Sequence, residues 1–124
     1  MDQYKASKEL VLQFLADMKA ILSAKNFDIN NQFLLVNRPE NNETLQALRY
    51  QKEDVVELLK QLEVSNYYQS VPDCKDASKP DFHIFFIQKH GKDIYIKIRI
   101  QKKNQVFCIS FHFANYSHFK MIYE

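Results

Sequence analysis

The sequence predicts an α+β protein in which helices come first and an antiparallel sheet follows. Up to about residue 63 the apolar residues recur at helical spacing. After a polar stretch at 69–81 they alternate with a period of two, as strands do. The length of 124 residues and the apolar content of 46% suffice for one packed core but not for two. A single domain over 1–124 is therefore expected: a helical part to about 68, a loop at 69–81, a sheet at 82–116 and a short tail.

The first helix is expected over about 7–25. Leu10, Phe14, Met18, Ile21 and Leu22, flanked by Val11 and Leu15, mark its apolar face, with Ser7 as cap and Asn26 as terminator. A short strand, Phe33 to Val36, follows, closed by Arg38-Pro39-Glu40-Asn41-Asn42. Helices are then predicted at about 43–50, through Leu45 and Leu48, and at about 52–63, through Val55, Leu58, Leu59 and Leu62. All should pack on one face of the sheet. Residues 69–81 (QSVPDCKDASKPD) hold two of the three prolines and have no period, which reads as loop. Strands are predicted at about 82–89, 93–102 and 105–114, turning at the lone glycine, Gly91, and at Lys103-Asn104.

Alternation assigns each strand residue a side. Ile94, Ile96, Ile98 and Ile100 face one way; Tyr95, Lys97 and Arg99 face the other. In the next strand Phe107, Ile109, Phe111 and Phe113 are expected in the core. The implied register sets Tyr95 opposite His112, Lys97 opposite Ser110 and Arg99 opposite Cys108. A slip by one residue would bury two cations, which costs several kcal/mol. In the preceding strand Phe85 and Ile87 join the core, while Phe86 and Gln88 join the Tyr95 face.

Charge is distributed unevenly. Up to Asp81 there are 10 Lys and Arg against 13 Asp and Glu; beyond it there are 7 against 2. The basic excess thus lies on the sheet and suggests an anionic partner there. Cys74 and Cys108 lack metal-ligand spacing and are expected as free thiols. No secretory pattern or membrane-spanning run is visible, so a cytoplasmic location without membrane contact is expected.

An aromatic ring beside cations suits a nucleotide, through stacking on the base and attraction to the phosphate. Cutting RNA without a metal or other cofactor needs a base for the 2′-OH proton, cations for the charge on phosphorus and an acid for the leaving 5′-oxygen. The product is then a 2′,3′-cyclic phosphate. His112 is suited to acid or base work. Tyr95 can orient the phosphate or the 2′-OH, and Lys97 and Arg99 can stabilise the transition state. Gln88, Phe86 and the turn lysines Lys102 and Lys103 are the expected RNA contacts. His83, His90 and His118 have no comparable context, and no metal site is expected.

The run Asp93-Ile94-Tyr95-Ile96-Lys97-Ile98, then Cys108-Ile109-Ser110-Phe111-His112, with Ala114 and Tyr116, resembles the C-terminal signature of MqsR-type toxins, the motility quorum-sensing regulator family among RelE-like toxins. The resemblance extends upstream through the helix Asp54 to Leu62 and Val64-Ser65-Asn66-Tyr67-Tyr68. It implies a RelE-like fold and a ribosome-independent, sequence-selective mRNA endonuclease that needs no metal. It also implies a cognate antitoxin. Tyr95 matches the family's cleavage tyrosine, and His112 its basic position after Ser-Phe. Gln69 stands where the family has a lysine, Ser70-Val71 replaces a frequent Gly-Pro, and the family's Trp-Gln pair has no clear counterpart.

Two other readings use the same residues. A binding module would hold RNA or an acidic protein on this face without cutting. A DNA-binding antitoxin or regulator fits less well: there is no helix-turn-helix or zinc motif, the helices carry net acidic charge, and no direct DNA binding is expected.

Overall fold

The computed structural model describes residues 3–102 and 104–114. Its elements are α1 (Lys8–Leu22), α2 (Ile29–Gln32), β1 (Phe33–Leu35), α3 (Pro39–Leu48), α4 (Lys52–Leu59), a 3-10 turn (Val64–Asn66), β2 (Tyr67–Val71), β3 (Phe82–Lys89), β4 (Lys92–Gln101) and β5 (Gln105–Phe113). The strands form one five-stranded open sheet in the order β1-β5-β4-β3-β2.

The α+β class and the β3-β4-β5 meander match the expectation; the all-antiparallel sheet does not. β1 pairs parallel to β5, so the sheet is mixed. The 69–81 stretch is also not all loop: β2 occupies its start, antiparallel to β3, with an irregularity between Tyr67 and Gln69. Five residues interrupted by a bulge are too few to show a period of two. Tyr4 then exchanges backbone hydrogen bonds with Ser70 at 2.9 and 2.8 Å, which covers the outer edge of β2.

Ser7 caps α1 as expected, its hydroxyl accepting from the Leu10 amide at 3.1 Å. The helix ends at Leu22, with Ser23 rather than Asn26 beyond it. Its buried line is Val11, Leu15, Met18 and Leu22, and Leu10 is exposed. The apolar stripe is wider than the contact, and only its centre is covered. α3 starts at Pro39 instead of near 43, because proline is well suited to the first helical position, where no amide donor is needed. Arg49 closes it in the left-handed conformation (φ 59°). In α4 the Asp54 carboxylate accepts from the Gln51 amide at 2.8 Å, half of a capping box.

β1 is short and leaves part of the β5 edge uncovered. α3 takes over there through side chains. Asn41 Oδ1 accepts from the Phe111 amide at 2.9 Å, and Thr44 Oγ1 accepts from the Phe113 amide at 3.0 Å. Asn41 Nδ2 donates to the Val36 and Ile109 carbonyls at 2.9 and 3.2 Å. Both residues are buried, and each replaces a missing strand partner.

The β3-β4 hairpin turns on His90 (φ 54°) and Gly91 (φ 76°), between the paired Lys89 and Lys92. Two successive positive φ values give the type I′ turn that matches strand twist. The β4-β5 link differs from expectation. Gln101 pairs with Gln105, so three residues form the loop, and Asn104 is left-handed (φ 52°). The extra residue is offset by a bulge: Lys97 pairs with Ser110, but Ile98 pairs with Cys108. Ile109 is the inserted residue.

The bulge corrects half of the predicted core. Phe111 is buried as expected, but Val106 and Cys108 take the inward places assigned to Phe107 and Ile109. Phe107 and Ile109 turn to the side of Lys97 and Arg99. Arg99 accordingly sits opposite Phe107, not Cys108. The inward side is otherwise as read: Ile94, Ile96, Ile98 and Phe85 pack under α1 and α4 in one cluster. Burial there pushes the Cys108 thiol up.

Candidate active face of the sheet

The side of the sheet away from α1 and α4 is organised in three rows. In the first row, one aromatic ring from each of β2 to β5 meets the next. Tyr68 meets Phe86 edge-on at 5.3 Å, Phe86 meets Tyr95 edge-on at 5.4 Å, and Tyr95 stacks on His112 at 5.2 Å with 19° between the planes. Lys5 Nζ lies 4.5 Å from the Tyr68 ring centre at one end. Tyr95 and His112 are cross-strand partners, so the predicted pairing places them in contact. Phe86 is 4% exposed, making it a buried support for Tyr95 rather than an open stacking platform.

His112 Nδ1 lies 3.0 Å from the Phe113 carbonyl oxygen. A carbonyl only accepts, so Nδ1 carries the proton in this bond. The neutral ring then keeps its lone pair on Nε2.

The second row runs from Gln69 past Ile84 and Lys97 to Ser110. Arg38 joins it from the β1 side, its Nη1 3.3 Å from the Ile109 carbonyl and 3.4 Å from Ser110 Oγ. No carboxylate stands within ion-pair distance of Lys97 among the described residues. Burial lowers the pKa of the Lys97 ammonium; the nearby Cys74 opposes this, the Arg38 charge adds to it, and the Asp73 carboxylate opposes it more weakly. The half-buried Lys97 is a place for an anion, and the second cation beside it, Arg38, is itself 3.5 Å from Glu40.

The third row contains Arg99, and here the expectation of an open cation is corrected. Arg99 is 5% exposed. Its Nη1 donates to Asp73 Oδ2 at 2.7 Å and to the Pro80 carbonyl at 3.2 Å, and its Nε donates to Gln101 Oε1 at 2.9 Å. The guanidinium carbon lies 4.3 Å from the Phe82 ring centre and 5.0 Å from that of Phe107. The 72–81 segment is therefore tied down over this end of the face. The Arg99 hydrogen bond also holds the Asp73 carboxyl below the usual range, with the Lys75 amide helping.

A family profile described as "motility quorum-sensing regulator, toxin of MqsA" matches residues 15–113. The chain belongs to the MqsR toxin family. No curated protein matches the chain. The matched span runs from within α1 to the end of β5, so it includes every residue of the three rows except Lys5. A toxin of a toxin–antitoxin system is what this family denotes.

Within this MqsR-family face the expected residues divide. Tyr95, His112 and Lys97 come together. Gln88 is exposed near the β3-β4 turn, opposite Asp93, while Lys102 is exposed just past the other end of β4. At about 3.3 Å per residue, the ten residues of β4 put them roughly 30 Å apart. Lys103, Tyr116 and His118 lie outside the described residues. His83 is on the helix-covered side, its Nδ1 2.6 Å from Ser70 Oγ and its ring 4.6 Å from Phe14.

Gln69, where the resemblance placed a family lysine, is on this face beside Ile84. Arg38 and Asp73 are additions that no local pattern signalled, while Tyr68 stood in the Val64–Tyr68 run that carries the resemblance. Arg38 and Asp73 each arrive from a segment remote in sequence, and isolated residues have no period to betray them.

Proposed function

We propose that this MqsR-family toxin is a metal-independent, sequence-selective endoribonuclease that cuts mRNA in the cytoplasm and is neutralised by a cognate antitoxin. The observation that carries this reading is the contact of Tyr95 with His112 beside the half-buried Lys97, which has no carboxylate at ion-pair distance among the described residues. Nε2 of His112 accepts the proton of the ribose 2′-OH as the 2′-oxygen attacks phosphorus. Lys97 neutralises the charge that builds on the phosphoryl oxygens, and its lowered pKa suits it to protonate the departing 5′-oxygen. Tyr95 fixes the imidazole plane and orients the phosphate. Arg99 holds the surrounding segment instead of touching phosphate.

The test is incubation of purified protein with a long single-stranded RNA in EDTA. Discrete fragments ending in 2′,3′-cyclic phosphate are expected, absent with His112→Ala and reduced at least about 100-fold with Tyr95→Phe. A deoxynucleotide at the scissile position should abolish cutting. Binding without cutting is the reading favoured by the buried Phe86 and the paired Arg99. Intact RNA bound by folded protein, with affinity unchanged in both variants, would establish it.

A further inference from the structure

Between the 71–75 segment and the third row lies a cavity of about 390 Å³, in the size range of small-ligand sites. Its floor is the layer of Phe82, Arg99 and Phe107, with the guanidinium between the two rings. Asp73 and the Pro80 carbonyl hold that guanidinium in place, so the floor is rigid. Ile109 and Pro72 form walls, and Lys97 stands at the cavity with Nζ 5.1 Å from the Phe82 ring centre. Arg38 reaches the Ile109 carbonyl from behind this wall at 3.3 Å.

The β5 bulge makes this cavity. Phe107 and Ile109 are only half-buried, because the inward places beside them are taken by Val106 and Cys108. They point outward instead and give the cavity its apolar lining. Bulges recur beside functional sites because they re-aim side chains in this way. The result joins a slot faced with flat rings and a guanidinium to one cation, Lys97, while Arg38, itself 3.5 Å from Glu40, stays behind the Ile109 wall. The slot suits a planar heterocycle, and Lys97 a phosphate.

We propose that this cavity receives a nucleobase adjoining the scissile phosphate and sets the cleavage preference, a proposal that rests on the RNA-cleaving reading above. Arg99 is then a positioning residue: it holds the floor and, through Asp73, the wall.

The test leaves the protein intact first and alters the RNA. One abasic site is moved stepwise through a short substrate around the cut, and kcat/KM is measured with wild-type protein. One flanking position should cost at least about 10-fold, the others under about twofold. Ile109→Phe, which fills the cavity from β5, should cut intact RNA as poorly as wild type cuts that abasic substrate, and the abasic penalty should vanish. Pro72→Trp fills it from the loop and should do the same, with folding of both checked by thermal unfolding. A flat abasic scan by a cutting enzyme overturns the cavity proposal alone, as does a penalty undiminished in both filled variants. If wild type cuts no RNA, the nuclease reading falls and takes the cavity proposal with it.

Discussion

Lys97 and Arg99 stand two residues apart on one strand and one face, yet they occupy opposite environments. Arg99 is sandwiched between Phe82 and Phe107 and bonded to Asp73, so its charge is used within the protein. Lys97 is half-buried with no carboxylate at ion-pair distance among the described residues, and a second cation adds to its charge. The Arg99 end of the face holds a segment in place; the Lys97–Tyr95–His112 end retains a half-buried ammonium and an imidazole whose Nδ1 is bound to a carbonyl. A formal charge read from sequence marks a side chain, not its availability.

The largest expected effect separates the two. Lys97→Ala should lower cleavage at least about 100-fold and leave thermal stability unchanged or raised, because it removes a desolvated cation. Arg99→Ala should do the reverse: a stability loss of roughly 2 kcal/mol in denaturant melts from lost ring contacts and hydrogen bonds, with about a tenfold smaller effect on cleavage than Lys97→Ala. Arg99→Ala that folds as well as wild type and cuts as poorly as Lys97→Ala would erase the distinction. Asn41→Ala, at the β5 edge, leaves the Phe111 amide without an acceptor and should cost about 1–3 kcal/mol in the same melts.

pH sharpens the contrast further. With its pKa lowered, Lys97 should lose its proton below the ordinary lysine range, so kcat/KM should fall there as pH rises, and Lys97→Arg should move that limb upward. Asp73 has a depressed folded-state pKa, so its stabilisation is fully present above the unfolded carboxylate pKa and is lost as pH falls through the folded value. The stability difference between wild type and Asp73→Asn should therefore close only in acid. The smallest effect belongs to the far turn. Gly91→Ala meets no atom within 4 Å and should cost about 1 kcal/mol through its positive φ alone, with cleavage retained.

Much of this arrangement was legible in the chain. Isoleucine at every second place in 94–100, against Tyr95, Lys97 and Arg99, leaves one register that puts no cation on the helix-covered side, and the lone glycine anchors the hairpin before it. That suffices for the Tyr95–His112 and Lys97–Ser110 pairs. Over 106–109 the same reasoning has no purchase, because both parities are apolar and either could go inside. The expected inward places of Phe107 and Ile109 therefore go to Val106 and Cys108, and the cavity that Phe107 and Ile109 line has no signature in the sequence. β2 is too short to show a period, and Asn41 and Thr44 do polar work on a helix whose leucines attract attention first.

The sequence by itself determined the α+β class, the three long strands, the inward and outward sides of β4, and the residues that meet at the Tyr95 end of the face. These follow from local periodicity and the high cost of burying charge, which act over a few residues and leave one solution. The tertiary structure alone decided that β1 runs parallel to β5 and that a bulge at Ile109 turns two apolar side chains outward. It also decided that Asp73 captures Arg99 and that Arg38 comes to stand beside Lys97. Each of these depends on which distant segment completes a hydrogen bond or an ion pair, and that is settled only when the whole chain is packed.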